Sequence, residues 1–235
     1  MTAPSYPTFN RRGFRMYQGQ DGLADVPSVT SVLKNIDKSG LGFARARSSA
    51  QCAWNDVDKL VGWVRDQNEK AAVDHIRNAV SREWGAAADL ETEVHELAEQ
   101  RFKFQDLGHI QKKHQGFMEQ LDKFIKDFDV EPLEIEVTCW NSTIGHAGTA
   151  DLIARIGGEI VLLDLKTGKS GIYPDVALQL AAYGHAEFII SPDGSRREMP
   201  ELGGAAAPPS LGCFLARPEG CLVRVWAIRV PKERA

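Results

Sequence analysis

At 235 residues, with 43% of them hydrophobic and 26% charged, the chain has the size and composition of one globular domain able to bury a core. It holds no apolar run of about eighteen residues, which excludes a membrane-spanning helix, and Met1-Thr-Ala-Pro-Ser-Tyr-Pro7 lacks the apolar centre of a signal peptide, so a cytoplasmic protein is expected. A net charge of −4 argues against a chain that coats nucleic acid by bulk charge, though not against one that meets it through a single groove.

Residues 1–26 are polar, carry Pro and Gly and show no periodicity, which predicts an irregular arm. From Pro27 a helix is expected, capped by Ser28 or Thr30, with Val29, Val32, Leu33 and Ile36 on one side. Residues 48–80 continue helically, and Trp54, Val57, Leu60, Val61 and Val64 recur at three- and four-residue spacing as a packing stripe. Another helix runs from Ser81 to about Gln105 with Leu90, Val94, Leu97 and Ala98 on its apolar side. His95 sits at the edge of that side, where it can pair with Glu91 or Glu99 or serve as a ligand. Residues 108–130 form one more amphipathic helix with Phe117, Leu121, Phe124, Ile125 and Phe128 inward. The basic groups Arg11-Arg12 with Arg15, Arg45 with Arg47, and Lys112-Lys113 are read as solvated faces ahead of phosphate contacts.

Leu133 to Trp140 alternates as a strand, with Leu133, Ile135, Val137 and Cys139 on one face and Glu134, Glu136, Thr138 and Trp140 on the other. Gly145 and Gly148, in the loop that follows and just beyond it, suit a close approach of another backbone, which the resemblance given below makes that of DNA. Two apolar runs then flank Gly157-Gly158, a strong hairpin signal. A two-residue turn there pairs Ile156 with Glu159 and Ile153 with Leu162, and sets Asp151 against Asp164. Side chains alternate with a period of two, so Lys166 projects on the side of Asp164. After the hairpin, Thr167-Gly-Lys-Ser-Gly171 lacks the spacing of a nucleotide-binding loop, although Lys169 and Ser170 could touch a phosphate. Pro174 opens a helix from Asp175 to about Glu187, with Gln179 and Tyr183 on one face. Ser191 to Ser210 is expected as a long loop in which Ser191-Pro-Asp-Gly194 turns a short hairpin. Leu211–Arg217 and Cys221–Val230 are expected as two strands joined by Pro218-Glu-Gly220.

Two acids facing each other on an apolar hairpin are mutually repulsive, and a divalent cation relieves that repulsion. Mg²⁺ takes one or two carboxylates, here Asp151 and Asp164, and the backbone carbonyl of Leu165 is near enough to add an oxygen. Lys166 could then orient a nucleophilic water or stabilise developing negative charge. The alternative is a surface hairpin whose acid pair is relieved by Lys166 alone.

Asp151 followed thirteen positions on by Asp164-Leu165-Lys166 resembles the active site of the PD-(D/E)xK nucleases. Gln179-Leu-Ala-Ala-Tyr183 resembles the Gln-x-x-x-Tyr motif of their RecB-like exonuclease branch, and the likeness extends over about residues 25–190. The resemblance implies an α/β fold, a central mixed sheet flanked by helices (a restriction-endonuclease-like core) with a helical N-terminal part, in one nuclease domain over 1–235. The parts are an arm at 1–26, a mainly helical region at 27–130, the catalytic core at 131–190, and a loop with closing strands at 191–235. It makes His95 a helix-borne metal ligand beside Asp151 and Asp164, Glu136 an auxiliary acid or else a solvated strand residue, and Gln179 and Tyr183 substrate contacts or else packing. It implies Mg²⁺- or Mn²⁺-dependent hydrolysis of DNA, with DNA as partner and a recombination protein or an oligomer as further associations. An endonuclease of the same superfamily or a non-catalytic DNA-binding subunit are the alternatives. Some relatives hold an iron–sulfur cluster. Here Cys52, Cys139, Cys213 and Cys221 show no Cys-x-x-Cys spacing, and reduced, partly buried thiols are the better reading.

Overall fold

The computed structural model describes residues 6–36, 39–167, 174–203, 212–213 and 225–229. Where the sequence suggests one domain, backbone packing divides the chain into two compact units, Met1–Asn35 with Glu91–Ala235, and Ile36–Leu90.

The first departure from expectation comes at the N-terminus. In place of an irregular arm, β1 (Thr8–Arg11), β2 (Phe14–Tyr17) and β3 (Val26–Pro27) form a three-stranded antiparallel sheet. Arg12 and Gly13, with φ of 52° and 85°, make the two-residue turn between β1 and β2, and Asn10 Oδ1 accepts the Gly13 N–H at 2.9 Å. Both central residues of that turn need positive φ, which matches the right-handed twist of the strands. Ser28 caps α1 (Val29–Leu33) as expected, its hydroxyl accepting the Ser31 N–H. The helix stops after five residues, so Val32 and Ile36 are exposed instead of packed.

The unit Ile36–Leu90 holds α2 (Ser39–Asn55), α3 (Val57–Arg65), α4 (Glu69–Arg77) and the start of α5 (Ala79–Phe102). The stripe read as packing lies largely on the surface: Trp54 is 79% exposed, and Val57, Val61 and Val64 are exposed with it. Neither α3 nor α4 contains a buried residue.

From Glu91 onward α5 runs with α6 (Lys112–Asp127). Arg101 pairs with Asp122 at 2.6 Å, and Glu93 accepts from His114 at 2.7 Å. Phe117, Met118, Leu121 and Phe124 of α6 are buried. The main sheet is built from β4 (Glu131–Asn141), β5 (His146–Ile156), β6 (Glu159–Lys166), β7 (Phe188–Ile190), β8 (Arg196–Glu198), β9 (Gly212–Cys213) and β10 (Val225–Arg229), in the order β8-β7-β4-β5-β6-β10-β9. It is mixed, because β10 lies parallel to β6 and the other pairs are antiparallel. Gly157 and Gly158, at φ 58° and 85°, make the expected turn, and Ile156↔Glu159 and Ile153↔Leu162 pair as the count from that turn requires. Ser191-Pro-Asp-Gly194 does turn a hairpin, joining β7 to β8. Antiparallel β9 and β10 match the two closing strands. The Pro218-Glu-Gly220 connection lies outside the described residues, as do Lys169 and Ser170.

One face of the sheet is covered by α7 (Pro174–Gly184). Val176, Leu180 and Tyr183 pack there with Val137, Cys139, Ile153 and Leu162, each such apolar side chain contributing about 1.5–3 kcal/mol when fully buried. A second cluster joins the small sheet to the large one through Tyr6, Tyr17, Trp140 and Phe188, with Tyr17 edge-on to Trp140 at 6.4 Å. Among the described residues no helix is long and apolar enough to cross a membrane.

Candidate metal site

The chemistry-bearing residues meet where β4, β5 and β6 pass under α5 and α7. The β5–β6 ladder runs as far as Leu152↔Leu163, and Asp151 and Asp164 are the next residues along the two strands. There the Leu165 N–H donates to Asp151 Oδ2 at 2.7 Å. His95, descending from α5 and only 5% exposed, places Nδ1 3.6 Å from the same Oδ2 and Nε2 3.2 Å from the Leu165 carbonyl oxygen. His95 therefore pairs with neither Glu91 nor Glu99; Glu99 is taken by Lys103 at 2.5 Å. Two ligands at right angles on an ion with bonds of about 2.1 Å lie about 3.0 Å apart, close to the His95 Nε2–Leu165 O separation.

Glu136, expected as an auxiliary acid or else a solvated strand residue, is buried. Its φ is 53°, a left-handed conformation in mid-strand, and it makes no ladder pair of its own between Ile135↔Leu152 and Val137↔Ala150, where the register itself is unbroken. A non-glycine residue held there costs about 1–3 kcal/mol and persists only where its surroundings fix it. His95, Glu136 and Asp151 each offer a ligand atom within 4.8 Å of the others. Asp164 is not part of that close trio. Its Oδ1 accepts from Gln179 Nε2 at 3.1 Å and its Oδ2 lies 2.5 Å from Lys166 Nζ. Lys166 thus supplies the close partner of a carboxylate oxygen that is otherwise buried.

The electrostatics follow from burial and spacing. Burial, with the Asp151 charge adding to it, pushes the Asp164 carboxyl up to about 6 against the pull of Lys166. Burial would also raise Asp151, but His95, Lys166 and the Leu165 N–H outweigh it and hold that carboxyl below its ordinary value. Burial pulls His95 down, and the Asp151 carboxylate more than reverses it. Lys166 behaves likewise: burial lowers it, the two aspartates raise it, and the net shift is upward. A cluster of three buried or half-buried carboxylates with one imidazole, balanced by a single lysine, suits a hard or borderline divalent ion.

Gln179 and Tyr183 both border the recess, but differently. Gln179 is bonded to Asp164 and so acts on a carboxylate of the site. Tyr183 is 3% exposed and lies against Gly148, where an added Cβ would stand 2.1 Å from Tyr183 Cε1. Gly148 thus makes room for a tyrosine ring of its own chain, which corrects its reading as an approach for DNA. Gly145, at φ 81°, is a turn residue with open space around it.

Five residues of the wall are not among the expected site residues: Arg15 and Tyr17 of β2, Thr30 of α1, Glu91 of α5 and Thr149 of β5. Arg15 Nη2 donates to Thr30 Oγ1 at 2.9 Å, and the Tyr17 hydroxyl is 2.9 Å from Thr149 Oγ1. Arg15 thus lines a recess where a solvated face is expected from the sequence. Arg15 and Tyr17 share a side of β2, a placement that follows only once the strand itself is known. No family model matches this sequence, and no curated protein matches it.

Proposed function

We propose that this chain is a divalent-metal-dependent DNA exonuclease of the RecB-like branch of the PD-(D/E)xK nucleases, with the hairpin β5–β6 as its active site. The observation that carries the reading is the convergence of His95, Glu136 and Asp151 near a buried Asp164 that is held by Lys166. Asp151, Glu136, His95 and the Leu165 carbonyl would hold Mg²⁺ or Mn²⁺ with Asp164. When bound, the ion lowers the pKa of a coordinated water and offsets charge on the attacked phosphate.

The chain's own residues do the rest. Lys166 Nζ, anchored by Asp164, carries a positive charge that orients a water or steadies charge growing on a phosphate oxygen. Gln179 fixes the rotamer of Asp164. Arg15, which lines the same recess, adds a second positive charge for a phosphate, so a chain of net charge −4 can still bind DNA locally. DNA is then the partner, with a cytoplasmic setting and a recombination protein or a further copy of the chain as associates.

The test is digestion of 5′- and 3′-labelled linear DNA, alongside a closed circle, with Mg²⁺ and then Mn²⁺. An exonuclease shortens the linear DNA from an end and spares the circle, and Asp151→Asn, Asp164→Asn and Lys166→Ala abolish the activity. Cutting of the circle would make the chain an endonuclease. Metal-dependent binding without cleavage would leave a DNA-binding subunit, and cleavage surviving Asp164→Asn would overturn the site.

A further inference from the structure

We propose that Cys52, Asp56 and His75 form a zinc-class metal site in the helical unit Ile36–Leu90, separate from the hairpin acids and independent of any nuclease activity. Cys52 lies in the last turns of α2, Asp56 between α2 and α3, and His75 near the end of α4. One donor atom from each lies within 4.8 Å of the other two. Cys52 Sγ is 3.7 Å from Asp56 Oδ2, and His75 Nε2 is 2.6 Å from that same oxygen. Ligands around a tetrahedral zinc with bonds of about 2.0–2.3 Å stand about 3.3–3.8 Å apart. The sulfur–oxygen edge already has that spacing. The nitrogen–oxygen edge opens by less than about 1 Å as the ion replaces the direct His75–Asp56 hydrogen bond.

The donor set selects the ion. A thiolate and an imidazole are borderline ligands that suit Zn²⁺ and are poor partners for Mg²⁺, so the ion bound here differs in class from the one for the hairpin. With three protein ligands, the fourth position is left to water. Binding sends the Cys52 thiol proton to solvent, and the resulting thiolate and the Asp56 carboxylate balance the two charges of the ion. The ring of His75 is steadied edge-on by Trp63 at 5.3 Å, and Arg82 donates to the His75 carbonyl oxygen at 2.9 Å and towards Cys52 Sγ at 3.6 Å, so the ligands are oriented by neighbours of their own.

An independent observation explains why such an ion would matter. Among the described residues of this unit only Ala79 is buried. Helices without an apolar core need another staple, and a structural metal is a common one. An ion on these three residues would tie α2, the α2–α3 junction and α4 together.

The experiment is Co²⁺ titration of the full chain, read by the thiolate-to-cobalt charge-transfer band, followed by displacement with Zn²⁺. The band is expected in the wild type and in Asp164→Ala, is lost in Cys52→Ser, and needs about tenfold or more higher Co²⁺ in His75→Ala and Asp56→Ala. Absence of the band, or its persistence in Cys52→Ser, would overturn the site. A second readout needs no variant: Zn²⁺ should slow alkylation of Cys52 in the wild-type chain, followed by peptide mass spectrometry. Equal rates with and without Zn²⁺ would overturn it as well.

Discussion

Replacing Gly148 by alanine should cost more than its single methyl group suggests. The added Cβ would sit 2.1 Å from Tyr183 Cε1, 2.7 Å from Cζ and 2.8 Å from Oη. Relief to an ordinary 3.4 Å contact requires the ring to retreat by about 1.3 Å, and Tyr183 is packed on its far side among Leu180, Val137 and Ile153. Overpacking of this kind costs about 1–3 kcal/mol, and at 2 kcal/mol the folding equilibrium constant falls about thirtyfold. Urea unfolding followed by circular dichroism measures it, with Gly148→Ala, Tyr183→Ala and the double variant closing a cycle. The signature is coupling: in the Tyr183→Ala background the alanine at 148 should cost little, because the ring it strikes is gone. A penalty below about 0.5 kcal/mol in the wild-type background, or one that is unchanged without the ring, would refute the account.

Three further outcomes follow from other parts of the site and core. Because the fold raises the Asp164 carboxyl to about 6, ionising it opposes folding: its contribution is fully favourable below the ordinary value near 3.8 and is lost as pH rises through 6. In EDTA, Asp164→Asn should therefore gain stability on the wild type between about pH 4 and pH 7, on the order of 2 kcal/mol, and Tm against pH shows whether the two curves diverge in that window. Thr138 Oγ1 is buried without a hydrogen-bond partner, so the isosteric Thr138→Val should raise stability by about 1 kcal/mol in denaturant titrations. Burial pushes the Cys139 thiol up to about 12, so iodoacetamide at about pH 8 should label the half-buried Cys52 of the metal-free native chain and leave Cys139 unmodified until the chain is unfolded, as peptide mass spectrometry would show.

The hairpin was legible because its determinants are local. Gly157-Gly158 fixes the turn, the turn fixes the register, and the register delivers Asp151 to Asp164 without knowledge of the rest of the chain. Gln179 and Tyr183 were readable as one helix face for the same reason. What sequence periodicity cannot supply is the partner of a surface. Trp54, Val57, Val61 and Val64 recur at helical spacing, yet they are exposed, since periodicity marks an apolar side and not what covers it. The N-terminal sheet was missed because strands of four residues around Arg12-Gly13 are shorter than any window in which alternation stands out. Glu136 was assigned to the correct side by alternation, but its left-handed backbone was not foreseeable, because glutamate gives no sign of a conformation imposed by tertiary contacts.

The hairpin that carries the acids is interior to its sheet, flanked by β4 on one side and β10 on the other. A strand hydrogen-bonded along both borders cannot slide by one residue without breaking two ladders at once, and such a slip would turn Asp164 away from Asp151. The alignment of the two carboxylates is thus guarded by a segment some sixty positions further along the chain, Val225–Arg229, which touches neither of them by sequence proximity. Without that strand β6 would become an open border, able to recruit a stranger's backbone in its place.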